Sequence, residues 1–181
     1  MSQWPTPRAQ SALVVLVPEA EVLVARFRAA HDPVAAAGVP AHITILFPFQ
    51  PPAQAEDAAI DRLKTCFSSH APFAFKLASI ERFPGMLYLA PAPDDPFRAL
   101  TLRVWEAFPQ YPPYEGRHPD IIPHLTVAAG LDDWTLAHVA EDLAVVAAPL
   151  LPIPAMASEV ALMNNSSGPW KVVMTFPLAG Q

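Results

Sequence analysis

The sequence predicts an α+β fold made of two similar halves. Short apolar runs alternate with longer amphipathic segments, and many of the 23 prolines fall between them, which is typical of alternating strands and helices. A His-x-Thr triplet occurs once in each half, and a helix, a strand and a glycine turn follow each triplet in the same order. This shared order indicates a duplicated architecture. The halves share almost no other sequence, so the repeat is one of fold and not of sequence.

The first half reads as strand, helix, strand, helix, strand. Its strands are short runs rich in β-branched and aromatic residues, and its second helix carries Ile60, Leu63 and Phe67 at helical spacing. The predicted strands are 12–17, 41–47 and 73–82, and the predicted helices are 19–30 and 54–68.

The second half repeats this order with one more strand at its end. Leu100, Val104 and Phe108 are spaced as on one helix face, with Asp94 or Asp95 available as the N-cap. A loop rich in proline and aromatic residues, PQYPPYEGRHPD, precedes the second triplet. The predicted strands are 86–90, 123–129, 156–163 and 170–176, and the predicted helices are 97–108 and 132–146.

Composition favours a single domain over residues 1–181, with residues 1–10 as a flexible tail. The hydrophobic fraction of 52% supports a sizeable core. A net charge of −6 with only 11 Lys and Arg argues against binding to duplex DNA or to a membrane surface. One cysteine excludes an internal disulfide, and the sequence contains no recognisable signal peptide or membrane span. We therefore expect a cytoplasmic monomer.

Alternation along a strand gives the two triplets a shared chemistry. His42 and Thr44 project from one face of their strand, and His124 and Thr126 do the same in the second copy. One imidazole can accept a proton while the other donates one, and hydroxyls can donate hydrogen bonds to phosphoryl oxygens. A single triplet is better explained by a packed histidine and a strand-favouring threonine, but two copies in matched order favour a site.

The segments PAHITILFPF and PHLTV, with the loop PPYEGRHPD between them, resemble the 2H phosphoesterase superfamily. Within it, the sequence is most similar to the bacterial 2'-5' RNA ligase or RNA 2',3'-cyclic phosphodiesterase family, over residues 12–178. The resemblance implies a bilobal, pseudo-symmetric fold in which two antiparallel sheets form a central groove, with helices outside.

The resemblance also implies chemistry without a metal or other cofactor. By this similarity His42 and His124 would be the general acid and the general base, in either order, and Thr44 and Thr126 would hold the phosphate. The substrate would be a nucleotide or a short RNA end that carries a 2',3'-cyclic phosphate, or a related 2'-5' phosphodiester.

Residues that contact the rest of the substrate are less clearly indicated. Many relatives carry a basic residue soon after the second motif, where this chain has Ala-Ala-Gly at 128–130. Extra positive charge would then come from other basic side chains, although each has an ordinary surface role as its alternative: Arg82, Arg117 and Lys171. Three aromatic side chains are candidates for stacking on a base, with core packing as the alternative for the first two: Phe49, Tyr88 and Tyr114.

Three functional classes compete on the sequence alone. The first is a cyclic phosphodiesterase, with 2'-5' RNA ligase activity as a variant of the same site. The second is a module that binds a phosphorylated nucleotide or RNA end without turnover, and it would show ligand-induced stabilisation without product. The third is a metal protein, which is disfavoured because two histidines need a third ligand that the strand faces do not offer.

Overall fold

Eight strands and five helices form over the part of the chain that the computed structural model describes, residues 9–54 and 56–180. Most of the predicted tail at 1–10 lies outside these residues. The strands are β1 (Ser11–Leu16), β2 (His42–Leu46), β3 (Phe73–Phe83), β4 (Met86–Ala92), β5 (Leu125–Ala129), β6 (Ile153–Ala157), β7 (Glu159–Asn164) and β8 (Lys171–Pro177). The helices are α1 (Glu21–His31), α2 (Pro33–Ala36), α3 (Asp57–Ser68), α4 (Asp95–Ala107) and α5 (Asp133–Ala147).

The strands form two antiparallel sheets of four strands each, which confirms the predicted α+β fold with two antiparallel sheets. The first sheet has the order β2-β1-β7-β8 and the second the order β5-β4-β3-β6. Each sheet contains strands from both halves of the sequence, because β3 joins the second sheet and β7 joins the first. The strands of the two His-x-Thr triplets are β2 and β5. Each is an edge strand of its own sheet, and the two edge strands lie next to each other. The fold thus brings the two triplets together.

Three details of the predicted elements are wrong. The strand predicted at 156–163 is two strands, β6 and β7, because the chain leaves one sheet at Ser158 and enters the other. The strand predicted at 123–129 begins at Leu125, so His124 directly precedes it. Asp94 occupies the N-cap position of α4, but its carboxylate accepts hydrogen bonds from Arg98 instead of from the helix backbone.

Most apolar side chains form one core between the sheets and the helices. A second, smaller cluster lies on the opposite face of β1 and β7 and contains Ala12, Val14, Val39, Ala161 and Met163. Because successive side chains of a strand point to opposite faces, β1 contributes Leu13 and Val15 to the main core and its neighbours to the smaller cluster. In the described residues, no helix is both long and apolar enough to span a bilayer.

Candidate active site

A groove of about 350 Å³ contains the side chains of both His-x-Thr triplets. His42 and Thr44 line it from β2, and His124 and Thr126 line it from the start of β5. The residues between them point the other way: Ile43 and Leu125 are fully buried in the main core. The alternation predicted from the sequence therefore orients all four polar side chains toward one cavity.

Each imidazole is held by the same local hydrogen bond. Nδ1 of His42 lies 2.8 Å from the carbonyl oxygen of Pro40, and Nδ1 of His124 lies 2.6 Å from that of Ile122. A carbonyl oxygen only accepts, so Nδ1 carries the hydrogen and donates it in both rings. In the neutral ring this tautomer leaves Nε2 free to accept a proton. The two halves thus present their imidazoles in the same chemical form.

Burial makes both imidazoles weak bases in the ligand-free protein. It lowers the pKa of His42 from 6.5 to about 4, and the positive charge of Arg28 acts in the same direction. Burial also lowers the pKa of His124, with a smaller contribution from nearby His118. Both rings are therefore neutral at pH 7. An anionic ligand between them would favour the protonated form and raise these pKa values.

Aromatic rings surround the imidazole of His124. The ring of Tyr88 lies 5.5 Å away and that of Phe83 5.4 Å away, both edge-on, and these two rings stack on each other at 4.4 Å. The ring of Tyr114 lies nearly parallel to the imidazole at 6.5 Å. This packing limits the rotation of the imidazole and removes water from one side of it, which accounts for its lowered pKa.

Tyr114 connects the proline-rich loop to the groove. Its backbone N–H donates to the carbonyl oxygen of Phe47 at 2.7 Å, and its side chain lines the groove together with Thr44. Burial raises the pKa of this phenol, which therefore stays neutral at physiological pH. Tyr114 and Glu115 both have left-handed backbone conformations, with φ of 50° and 58°. This conformation is strained for residues other than glycine, and such strain is concentrated at functional sites.

Asp32 is a groove-lining carboxylate that is already neutralised. Its oxygens accept hydrogen bonds from the buried guanidinium of Arg28, at 2.9 Å, and from the backbone N–H of Val34, at 3.0 Å. Arg28 also donates to the carbonyl oxygen of Val39. Among the described residues, no Lys or Arg side chain lines the groove. The positive charge facing a bound anion would therefore come from the imidazoles themselves.

The other candidate residues differ in their positions. Tyr114 lines the groove, whereas Phe49, Tyr88 and Arg117 do not. Phe49 is only 5% exposed and packs in the core against Phe108 and Tyr111. Tyr88 is covered by Phe83 and His124. The expected contacts of Phe49 and Tyr88 with a base are therefore replaced by packing.

The expected basic contacts are also absent from the groove. Arg117 lies in an exposed part of the loop and pairs with Glu115, because the chain turns away from the groove after Tyr114. Arg82 on β3 and Lys171 on β8 are exposed and are not among the groove-lining residues. Their exposed positions agree with the alternative of an ordinary surface charge, and a contact with phosphate stays a prediction.

Sequence reasoning missed most of the groove wall, including Phe47, Trp170 and Asp32. Phe47 and Trp170 form an edge-to-face pair at 6.2 Å beside the small apolar cluster, and Asp32 lies near them. Phe47 lies within the quoted first motif, so its position next to the histidine strand was an available signal. Trp170 is distant in sequence from both triplets and Asp32 precedes His42 by ten residues, and only the fold brings these two side chains to the groove.

The described residues bring no three His, Cys, Asp or Glu side chains close enough to share one metal ion.

Three solved structures illustrate the fold that this chain shares. E. coli LigT in complex with 3'-AMP has a TM-score of 0.61 at 15% identity, covering 93% of this chain and 97% of LigT. TT0787 of Thermus thermophilus has a TM-score of 0.56 at 19% identity, covering 95% and 99%. A phosphoesterase has a TM-score of 0.56 at 13% identity, covering 96% and 99%. LigT has also been solved with ATP and with NADP+.

Comparison with sequences defines the family. No curated protein sequence matches the chain significantly. The family model described as the 2'-5' RNA ligase superfamily matches residues 16–169, which include both triplets, the whole second sheet, and β2 and β7 of the first sheet. The chain therefore belongs to the 2'-5' RNA ligase superfamily, the 2H phosphoesterases.

Proposed function

We propose that the protein is a metal-independent phosphodiesterase that hydrolyses 2',3'-cyclic phosphates of nucleotides or short RNA ends. One observation carries the proposal: two imidazoles with the same Nδ1–carbonyl hydrogen bond line one groove together with two threonine hydroxyls. The binding of 3'-AMP, ATP and NADP+ by LigT is consistent with a nucleotide in this type of groove.

The reaction needs one neutral and one protonated imidazole. Nε2 of the neutral ring accepts a proton from water as the water oxygen attacks phosphorus. The bond from phosphorus to one ribose oxygen breaks, and the protonated second ring donates its proton to that oxygen. The products are a phosphomonoester and a free ribose hydroxyl. The two rings have then exchanged protonation states, and proton exchange with water restores them.

In this mechanism the hydroxyls of Thr44 and Thr126, which line the same groove, donate hydrogen bonds to the phosphoryl oxygens as these gain negative charge during the attack. The ligand-free site has both imidazoles neutral, so it is prepared to provide a base but not an acid. Entry of the anionic phosphate raises the pKa of the imidazoles and promotes uptake of the required proton. Substrate binding and proton uptake are therefore coupled.

The test is incubation with the four 2',3'-cyclic mononucleotides, with and without EDTA, followed by chromatographic identification of the products. We expect a nucleoside monophosphate from at least one of them, at the same rate in EDTA. The variants His42→Asn and His124→Asn should each turn over about 100- to 10,000-fold more slowly. His138→Asn is the matched control because His138 is exposed on α5 outside the groove. Ligand-induced stabilisation without any product would instead support the binding-module alternative.

A further inference from the structure

A second cleft of about 240 Å³ adjoins the groove. It lies between one face of α4 and the loop at 112–123, which contains a short helical turn at Pro113–Gly116. Thr44 and Tyr114 line both the groove and this cleft. The two cavities therefore meet at Thr44 and Tyr114.

Tyr114 lies at the boundary between the two cavities, in a backbone conformation that is strained for a residue other than glycine. Two consecutive left-handed residues, Tyr114 and Glu115, aim the Tyr114 ring between the cavities. On the other side of the loop, Arg98 of α4 donates to the carbonyl oxygen of Ile121 and is paired with Asp94. The loop is thus tied to Phe47, directly after β2, by the backbone N–H of Tyr114 and to α4 by Arg98.

The lining of the cleft suits a flat aromatic group. Trp105 of α4 lines it and is 38% exposed, which is unusual for so large an apolar side chain, and Leu102 beside it is 46% exposed. The exposed ring of His118, which contacts Tyr114 edge-on at 5.7 Å, lines the cleft from the loop. Nucleobases stack on such side chains whatever their identity, because every base has a π-face.

We propose that this cleft binds the nucleoside that precedes the reactive nucleotide, with its base stacked on Trp105. The proposal rests on the proposed function and narrows its substrate to an RNA end of at least two nucleotides. The cyclic phosphate and its own ribose occupy the groove between the histidines, and the preceding nucleoside passes Tyr114 into the cleft. Cyclic mononucleotides then lack one of the two contacts and are the poorer substrates.

The experiment compares adenosine 2',3'-cyclic phosphate with the dinucleotide ApA that ends in the same cyclic phosphate. The protein should show a kcat/KM about 10-fold higher for the dinucleotide, on the scale of one base–aromatic stack. Trp105→Ala should remove this advantage and leave the mononucleotide rate unchanged, and Trp105→Phe should retain most of it. Trp134→Ala is the matched control, since Trp134 is 72% exposed on α5 and lines neither cavity.

Each outcome has a distinct meaning. Equal kcat/KM values for the two substrates, or an advantage that persists in Trp105→Ala, would overturn the proposed subsite and leave the cyclic phosphodiesterase activity standing. Hydrolysis of neither substrate would overturn the proposed function and the subsite with it. Thermal melts of the variants accompany the kinetics, and a mononucleotide rate that falls with Trp105→Ala would show a general structural effect and contradict the proposal.

Discussion

Replacement of His42 by asparagine should change how stability depends on pH. In the unfolded chain the imidazole takes up a proton below about pH 6.5, whereas in the folded protein burial delays this until about pH 4. Between about pH 4 and pH 6.5 the unfolded state binds more protons than the folded state. The free energy of unfolding therefore increases as the pH rises through this range and decreases as the pH falls. His42→Asn removes this group from both states and should therefore flatten that part of the curve.

The magnitude follows from the pKa difference. The shift from 6.5 to about 4, at about 1.4 kcal/mol per pH unit, corresponds to about 3 kcal/mol of stability lost on acidification. The free energy of unfolding at a series of pH values between 4 and 7.5 is measured by urea denaturation for the parent protein and for His42→Asn. The difference between the two proteins should change by about this amount across the series, in favour of the variant at low pH.

His138→Asn is the control for this measurement, because it makes the same substitution at an exposed position of α5 outside the groove. Parallel curves for His42→Asn and the parent protein would refute the reasoning. They would mean that the His42 imidazole gains its proton equally well in the folded and unfolded states, and the claim that it is neutral in the free groove would be wrong.

Three further predictions concern rates and the buried ion pair. Because burial lowers the pKa of both imidazoles and one of them must be protonated, kcat/KM for a cyclic phosphate should be greatest below pH 6.5 and fall toward alkaline pH, as a pH-rate profile would show. Thr44→Val and Thr126→Val should each lower kcat about 10- to 1,000-fold with little change in melting temperature, and unchanged kinetics would return these residues to a purely structural role. Arg28→Met leaves the Asp32 carboxylate buried without its partner and should destabilise the protein by about 3–5 kcal/mol in urea denaturation. The double variant with Asp32→Asn should recover part of that loss, and no recovery would contradict the pairing argument.

The parts of the site that follow a strand were predictable from the sequence. Strand alternation places His42 and Thr44 on one face and Ile43 on the other, and the repeated triplet indicates that a second such face exists. The boundary errors have a physical reason as well. The chain passes from β6 to β7 through Ser158 alone, and an apolar pattern does not reveal that two consecutive strands belong to different sheets.

Side chains outside the triplets were harder to place. An aromatic residue next to a strand packs equally well in the core or in a groove, so Phe49 and Tyr88 could not be separated from Tyr114 by sequence pattern. Asp32 lies four residues after Arg28, and this spacing alone does not distinguish an exposed helix pair from the buried pair in the structure. Such assignments depend on tertiary packing.

The central claim is that the imidazoles of His42 and His124 act as one catalytic unit. Its most direct test is kcat for a cyclic phosphate substrate with His42→Asn, His124→Asn and the double variant, each shown by thermal melting to be folded. We predict that each single variant lowers kcat about 100- to 10,000-fold and that the double variant is little worse than the poorer single variant, since groups acting as a unit are non-additive. A folded His124→Asn variant that turns over at the parental rate, or two losses that simply multiply in the double variant, would contradict the claim.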